Sequence, residues 1–233
     1  MMCSAERCDR IQDLSRLFRM WLAQVKVAYL DRKIGIETKE DGTITAYEPG
    51  SELPYRPTYY GRLEKMLRFL CPAGEDVFVD LGCGKGRAVF FVATHPLKKV
   101  IGVEINKKLY DAALQNAGTV KSRRAPVELI HADAADFDPK EGTIFFIFNS
   151  FGASVLEKVL ANIQASLVSN PRKIRIVYYA PLWKALLEEQ DWLEIAGEIE
   201  NESCPVWESC SPGSGAGQST GTVVGEGMGL QWE

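Results

Sequence analysis

The sequence predicts an α/β protein, a doubly wound and mostly parallel sheet with an N-terminal helical extension. Two observations carry that expectation. Short apolar runs alternate with helical stretches between residues 77 and 190, and such alternation implies parallel strands with both faces covered. The runs also tend to end in a polar residue, at the strand end where open α/β sheets bind their ligands.

The elements follow in order. Residues 9–30 read as an amphipathic helix, with Ile11, Leu14, Leu17, Phe18, Trp21, Leu22, Val25, Ala28 and Tyr29 at helical spacing. Its mixed charge favours packing on the main domain over a partner-binding or membrane-surface role. Residues 31–57 read as a polar, irregular connector with a hairpin around Thr43–Tyr47, and residues 58–70 as a helix closed by Cys71-Pro72-Ala73-Gly74. Strands are expected at Val77–Leu81, Lys99–Glu104, Val127–Ile130, Ile144–Phe148 and Ile174–Tyr179, with helices near 85–95, 106–118, 152–168 and 181–190. Trp192–Glu200 is a candidate sixth strand and Thr222–Val224 a diluted seventh. Residues 209–221 have linker composition. The expected division is residues 1–54 as helix and connector, 55–200 as the main domain, and 201–233 as a Gly/Ser-rich tail.

A chain of 233 residues with 46% hydrophobic and 25% charged content has the composition of a globular domain with appendages. Its net charge of −4 argues against tight nucleic-acid binding. The basic residues Lys98, Lys99, Lys107, Lys108, Lys121, Arg123 and Arg124 read as solvated helix ends. Six cysteines form no Cys-x-x-Cys pair and only His95 and His131 accompany them, so no metal site is expected. No signal peptide or apolar membrane span is visible, and the expected location is cytoplasmic.

The segment Val77-Phe78-Val79-Asp80-Leu81-Gly82-Cys83-Gly84-Lys85-Gly86 is the most informative. Strand, glycine turn and helix start form a cradle for a small ligand with an anionic group. Asp80 decides which ligand: a carboxylate there repels a pyrophosphate and suits an ammonium beside a carboxylate, as at the methionine end of S-adenosylmethionine. A dinucleotide fingerprint needs a third glycine where Arg87 stands, and a phosphate-binding Gly-Lys-Ser/Thr is absent. Glu104, ending the second strand, suits the two hydroxyls of a ribose. Asp133 suits the exocyclic amine of adenine, with the Ala134 N–H donating to the ring. Each acid taken alone also reads as a turn former or helix cap. Cys83 reads as a small packing residue.

These residues, VFVDLGCGKGR, VIGVEI, HADAADF and IFFIFNSFG in that order, resemble the class I S-adenosylmethionine-dependent methyltransferases over about residues 55–180. The resemblance implies their Rossmann-like fold, S-adenosyl-L-methionine as cofactor, and binding through Asp80, Gly82, Gly84, Gly86, Glu104, Asp133 and Ala134. Within the superfamily the chain is most similar to the Dot-type lysine methyltransferases and their small bacterial relatives. Tyr55-Arg56-Pro57-Thr58 matches their Tyr-x-x-Thr segment, implying that Tyr55 and Thr58 meet the cofactor, and Asn149-Ser150-Phe151-Gly152 matches their loop after the fourth strand. Asn149 is then the candidate catalytic residue, against a reading as cap of the following helix. Phe148 and Phe151 are candidates for a substrate channel, with core packing the other reading of Phe148. The implied acceptor is an amine, including a protein lysine. A small metabolite or RNA acceptor is an alternative, and a non-catalytic cofactor-binding module another.

Overall fold

The computed structural model describes residue 18 and residues 21–48, 51–199 and 203–210. A helix, α1 (residues 21–34), is followed by an antiparallel hairpin of β1 (Ile44–Glu48) and β2 (Ser51–Pro54) and by α2 (Tyr60–Leu70). Then come β3 (Val77–Leu81), α3 (Arg87–Val92), β4 (Lys99–Glu104), α4 (Lys107–Thr119) and β5 (Val127–His131). A short 3-10 turn at Ala134–Asp136 leads to β6 (Ile144–Ile147), α5 (Ala153–Ser169), β7 (Arg175–Tyr178) and α6 (Lys184–Glu188). The hairpin of β8 (Leu193–Ile199) and β9 (Cys204–Ser209) closes the described chain.

One seven-stranded sheet runs in the order β5-β4-β3-β6-β7-β9-β8. The strands from β5 to β7 pair in parallel and β9 runs antiparallel between β7 and β8. Chain order reverses between β3 and β6, so these two central strands flank the switch point where such sheets bind ligands. The central strands β3, β4, β6 and β7 are buried on both faces, which is why they read as apolar runs without alternation. Along β3, Phe78 faces a core built with α2, α3 and Ile34, and Val77, Val79 and Leu81 face a second core built with α5.

Three expectations change. The seventh strand is Cys204–Ser209 rather than Thr222–Val224, which lies outside the described residues. The sheet therefore runs past residue 200. The segment after residue 30 is no mere connector: α1 continues to residue 34, and Asp31, Ile34, Ile36, Thr38 and Thr43 are buried. Its polar residues give no sign of burial in the sequence because they bury against one another, as Thr38 does on Asp31. Finally, α1 packs through Val27, Leu30 and Ile34 and an ion pair from Lys26 to Glu64, whereas Phe18, Trp21, Leu22, Val25 and Tyr29 are exposed. Residues 9–17 of the expected helix lie outside the described residues.

Candidate functional site

The glycine turn joins β3 to α3. Gly82, Gly84 and Gly86 all have left-handed backbones, with φ of 87°, 56° and 85°, a conformation open to glycine at no steric cost. Gly82 N and Cys83 N donate to the Val103 carbonyl at 2.8 and 2.9 Å, which pins the turn to β4. A Cβ on Gly82 would stand 2.1 Å from Ser150, and one on Gly84 2.3 Å from the Tyr55 ring. The turn is thus approached closely from both sides. Cys83 packs its sulfur toward Gly102, where an added Cβ would come within 2.9 Å of it, and burial pushes its thiol up.

Asp80 lies inside this cradle and is only 4% exposed. Burial pushes its carboxyl up to about 8, with the Glu104 charge adding to the effect. No hydrogen bond or cation offsets that penalty among the described residues. Buried charges are ordinarily paired, so the pocket as built asks for a cation. Glu104 is 5% exposed and is also raised by burial, against backbone hydrogen bonds that favour its charged form. Its Oε2 accepts from Gly84 N at 2.7 Å and its Oε1 from Asn106 N at 2.8 Å. Each oxygen keeps a lone pair for a further donor. A glycine cradle, an unpaired buried carboxylate and a second carboxylate on the next strand fit the ammonium and the ribose diol of S-adenosylmethionine.

At the end of β5, Asp133 Oδ1 accepts from Ala135 N at 2.9 Å and so caps the 3-10 turn, with Ala134 buried beside it. Next to Glu104, Ile105 is 53% exposed, an apolar face suited to a heterocycle. His131 Nε2 meets the Ile105 carbonyl at 3.1 Å and its ring stacks on Tyr110 at 5.1 Å. Ile105 escaped the sequence reading because a single apolar residue after a strand carries no pattern.

The loop after β6 departs from expectation. Asn149 has φ of 45°. Its Nδ2 donates to the Ala180 carbonyl at 2.7 Å and its Oδ1 accepts from Leu182 N at 3.3 Å. It does not cap α5, whose first flanking residue is Gly152 with no side-chain cap. The amide instead joins the loops that follow β6 and β7. Phe151 is 8% exposed and packs in the core against α5. Phe148 is half-buried, its ring edge-on to Tyr179 at 4.9 Å. Near it a small recess is lined by Thr58, Arg62, Leu63, Met66, Phe146 and Tyr179, among others. Phe146 is the β6 register partner of Asp80, so the recess borders the cradle. The Arg62 guanidinium lies 4.4 Å from the Tyr179 ring centre.

The N-terminal segment brings Tyr55 and Thr58, expected from the sequence, together with Asp31 and Thr38, which the sequence does not single out. Tyr55 is buried against Gly84, its hydroxyl donating to the Thr38 carbonyl at 3.4 Å, and burial raises its phenol far above the usual range. Thr58 is buried, with its carbonyl 3.5 Å from Arg87 Nη1. Lys85 Nζ donates to the Lys39 carbonyl at 2.8 Å and pairs with Asp41 at 3.1 Å. Arg87, 4% exposed, reaches back to Thr38 and Asp31. The available signal was an arginine opening the otherwise apolar run Arg87–Val92, since such a charge must find a partner.

Residues 78–170 match the protein family described as a methyltransferase domain. The chain is 33% identical over 94 residues to a histone-lysine N-methyltransferase, H3 lysine-79 specific, from Dictyostelium discoideum, a match spanning 35% of this chain and 5% of that protein. It is 38% identical over 65 residues to a protein-lysine N-methyltransferase from Saccharolobus islandicus, spanning 28% of this chain and 40% of that one. The chain thus spans less than half the length of either curated relative. Among solved structures, yhhF from Escherichia coli shares the fold at a TM-score of 0.51 and 18% identity, over 70% of this chain and 94% of that one. The sheet order and the acid-and-glycine cradle are similar to those of the class I S-adenosylmethionine-dependent methyltransferases, and the methyltransferase-domain match over residues 78–170 supports that likeness.

Proposed function

We propose that this protein transfers a methyl group from S-adenosylmethionine to an amine, with a protein lysine as the acceptor. The observation that carries the cofactor half is Asp80 at the glycine turn, a buried residue whose carboxyl has no partner among the described residues. Asp80 holds the ammonium, Glu104 the ribose hydroxyls, and Asp133 with Ile105 the adenine. The bound cofactor supplies an activated methyl group on a sulfonium, which leaves the acceptor to be brought into line.

The lysine acceptor is supported by the partial similarity to two lysine methyltransferases and by the recess beside Asp80. A lysine must lose its proton before it can attack, and its free pKa is about 10.4. An apolar lining and a neighbouring positive charge both favour the neutral amine, and the recess has Leu63, Met66 and Phe146 with Arg62. Asn149 serves as a positioning residue, fixing the 180–182 backbone against its own loop.

Incubation with radiolabelled cofactor and a cell lysate, followed by separation into protein, RNA and small molecules, tests the reading. Label stable to base on lysine side chains supports it. Label confined to RNA or to small molecules removes the lysine acceptor, and no label in any fraction removes the activity.

A further inference from the structure

Residues 36–41, together with Tyr55 and Thr58, lie against the glycine turn and are fastened first by a buried network. The Asp31 carboxylate accepts through Oδ2 from the Thr38 hydroxyl at 2.7 Å and from Thr38 N at 3.2 Å, and through Oδ1 from the Tyr60 hydroxyl. Arg87 Nε donates to the Thr38 hydroxyl at 2.7 Å and Nη2 to the Thr38 carbonyl at 3.1 Å, with Asp31 at 3.7 Å completing an ion pair. Thr38 is wholly buried, and Asp31 and Arg87 nearly so. One hydroxyl therefore gives its proton to Asp31 while accepting from Arg87. That is the full use of its donor and one of its lone pairs.

A second tie runs from α4. The Asn116 amide accepts from Glu37 N at 2.8 Å, and donates to the Glu37 carbonyl at 3.0 Å and the Lys85 carbonyl at 2.9 Å. It therefore grips the segment and the glycine turn at once. What the network holds down is Tyr55, whose ring rests on Gly84, and Thr58, whose carbonyl faces Arg87.

We propose that Thr38 is a positioning residue for the cofactor: its hydroxyl latches the Asp31–Arg87 pair, and this latch holds residues 36–41, with Tyr55 and Thr58, over the glycine turn as a cover that must lift for cofactor exchange. The inference rests on the reading of the turn as the S-adenosylmethionine site. The physical basis is that a buried ion pair missing one bond is expensive to keep. The latch is therefore closed with every bond made or open with every group solvated. Local openings of this kind set the rate of ligand exchange.

S-adenosylhomocysteine is the unreactive probe. Calorimetry on the unmodified chain comes first, and absence of binding there overturns the site reading itself. Thr38→Val keeps the shape and deletes the hydroxyl, and Thr38→Ser keeps the hydroxyl. Thr38→Val is expected to speed probe dissociation by about tenfold, the effect of one charge-assisted hydrogen bond. Amide exchange should quicken across residues 36–44 and at Gly84, while amides of β3 and β6 stay protected. Thr38→Ser should return both readings to within about twofold of the unmodified protein. An unchanged dissociation rate in Thr38→Val, a Thr38→Ser variant that behaves like Thr38→Val, or exchange that quickens over the whole sheet overturns the latch. If Thr38→Val fails to fold, Tyr60→Phe removes one donor to Asp31 and should quicken dissociation about threefold. No change there overturns the latch equally.

Discussion

Asp80 and Glu104 lie buried on adjacent strands, Glu104 two residues beyond Gly102, the register partner of Asp80. Burial and the Glu104 charge push Asp80 up to about 8, so the ligand-free protein keeps a proton there at neutral pH. An ammonium ligand favours the ionised form. Binding below pH 8 must therefore expel a proton. Affinity for S-adenosylhomocysteine should rise by up to about tenfold per unit between pH 6 and 8 and level off above. Calorimetry in two buffers of different ionisation enthalpy should show release of up to one proton. Asp80→Asn should bind weakly with no such slope. A pH-independent affinity in the unmodified protein excludes the ammonium–Asp80 contact.

The same group has a consequence for stability. In the unfolded chain Asp80 titrates near 3.8, and in the folded chain near 8. Folding takes up a proton between those values, so this contribution is present in full below about pH 4 and is lost as pH rises through 8. Without ligand, Asp80→Asn should melt higher than the unmodified protein at pH 8, and the difference should shrink toward pH 5. A constant difference across that range places the titration elsewhere.

Glu104 does two jobs, and its substitution should reveal both. Besides facing the cradle, it receives Gly84 N and Asn106 N. Glu104→Ala should weaken cofactor binding by one to two decades, the loss of about 1.5–3 kcal/mol for hydrogen bonds to a charged acceptor. Because two backbone donors lose their partner, the melting temperature should fall as well. A mutant with normal affinity leaves Glu104 a purely structural strand-end acid.

Much of this arrangement is legible in the sequence. The glycine turn, Asp80 and Glu104 announced themselves because strand, turn and acid are contiguous and their chemistry is local. The latch was not legible, because Asp31, Thr38 and Arg87 meet only after the chain has folded back on itself, and a polar stretch such as residues 31–43 looks the same whether its side chains find water or each other. The seventh strand was missed for a related reason. Cys204–Ser209 contains a proline and a glutamate, yet it enters the sheet between β7 and β8 because the hairpin geometry of β8 and β9 carries it there. Asn149 shows a third limit. Its position was read correctly as the loop after β6, but its partners, Ala180 and Leu182, lie on another strand's loop and nothing in the local sequence points to them.

Asn149 gives the sharpest separation of backbone from side chain. Its left-handed φ of 45° is tolerated by asparagine and glycine and strains alanine, while its amide ties the loops after β6 and β7. Asn149→Ala removes both features, and Asn149→Gly removes only the amide. If the tie aligns the acceptor with the methyl group, both variants should lose about two decades of turnover, since misplacement of a reactant by even an ångström costs that much. S-adenosylhomocysteine affinity should stay within about threefold, because the cradle is built by β3 and β4 rather than by this amide. Melting should separate them, with the alanine variant lower by about 1 kcal/mol of backbone strain. Turnover is measured with whichever acceptor fraction takes label, well below the lower melting point. Full activity in Asn149→Gly assigns the residue to backbone conformation alone and removes the amide from the positioning of the acceptor.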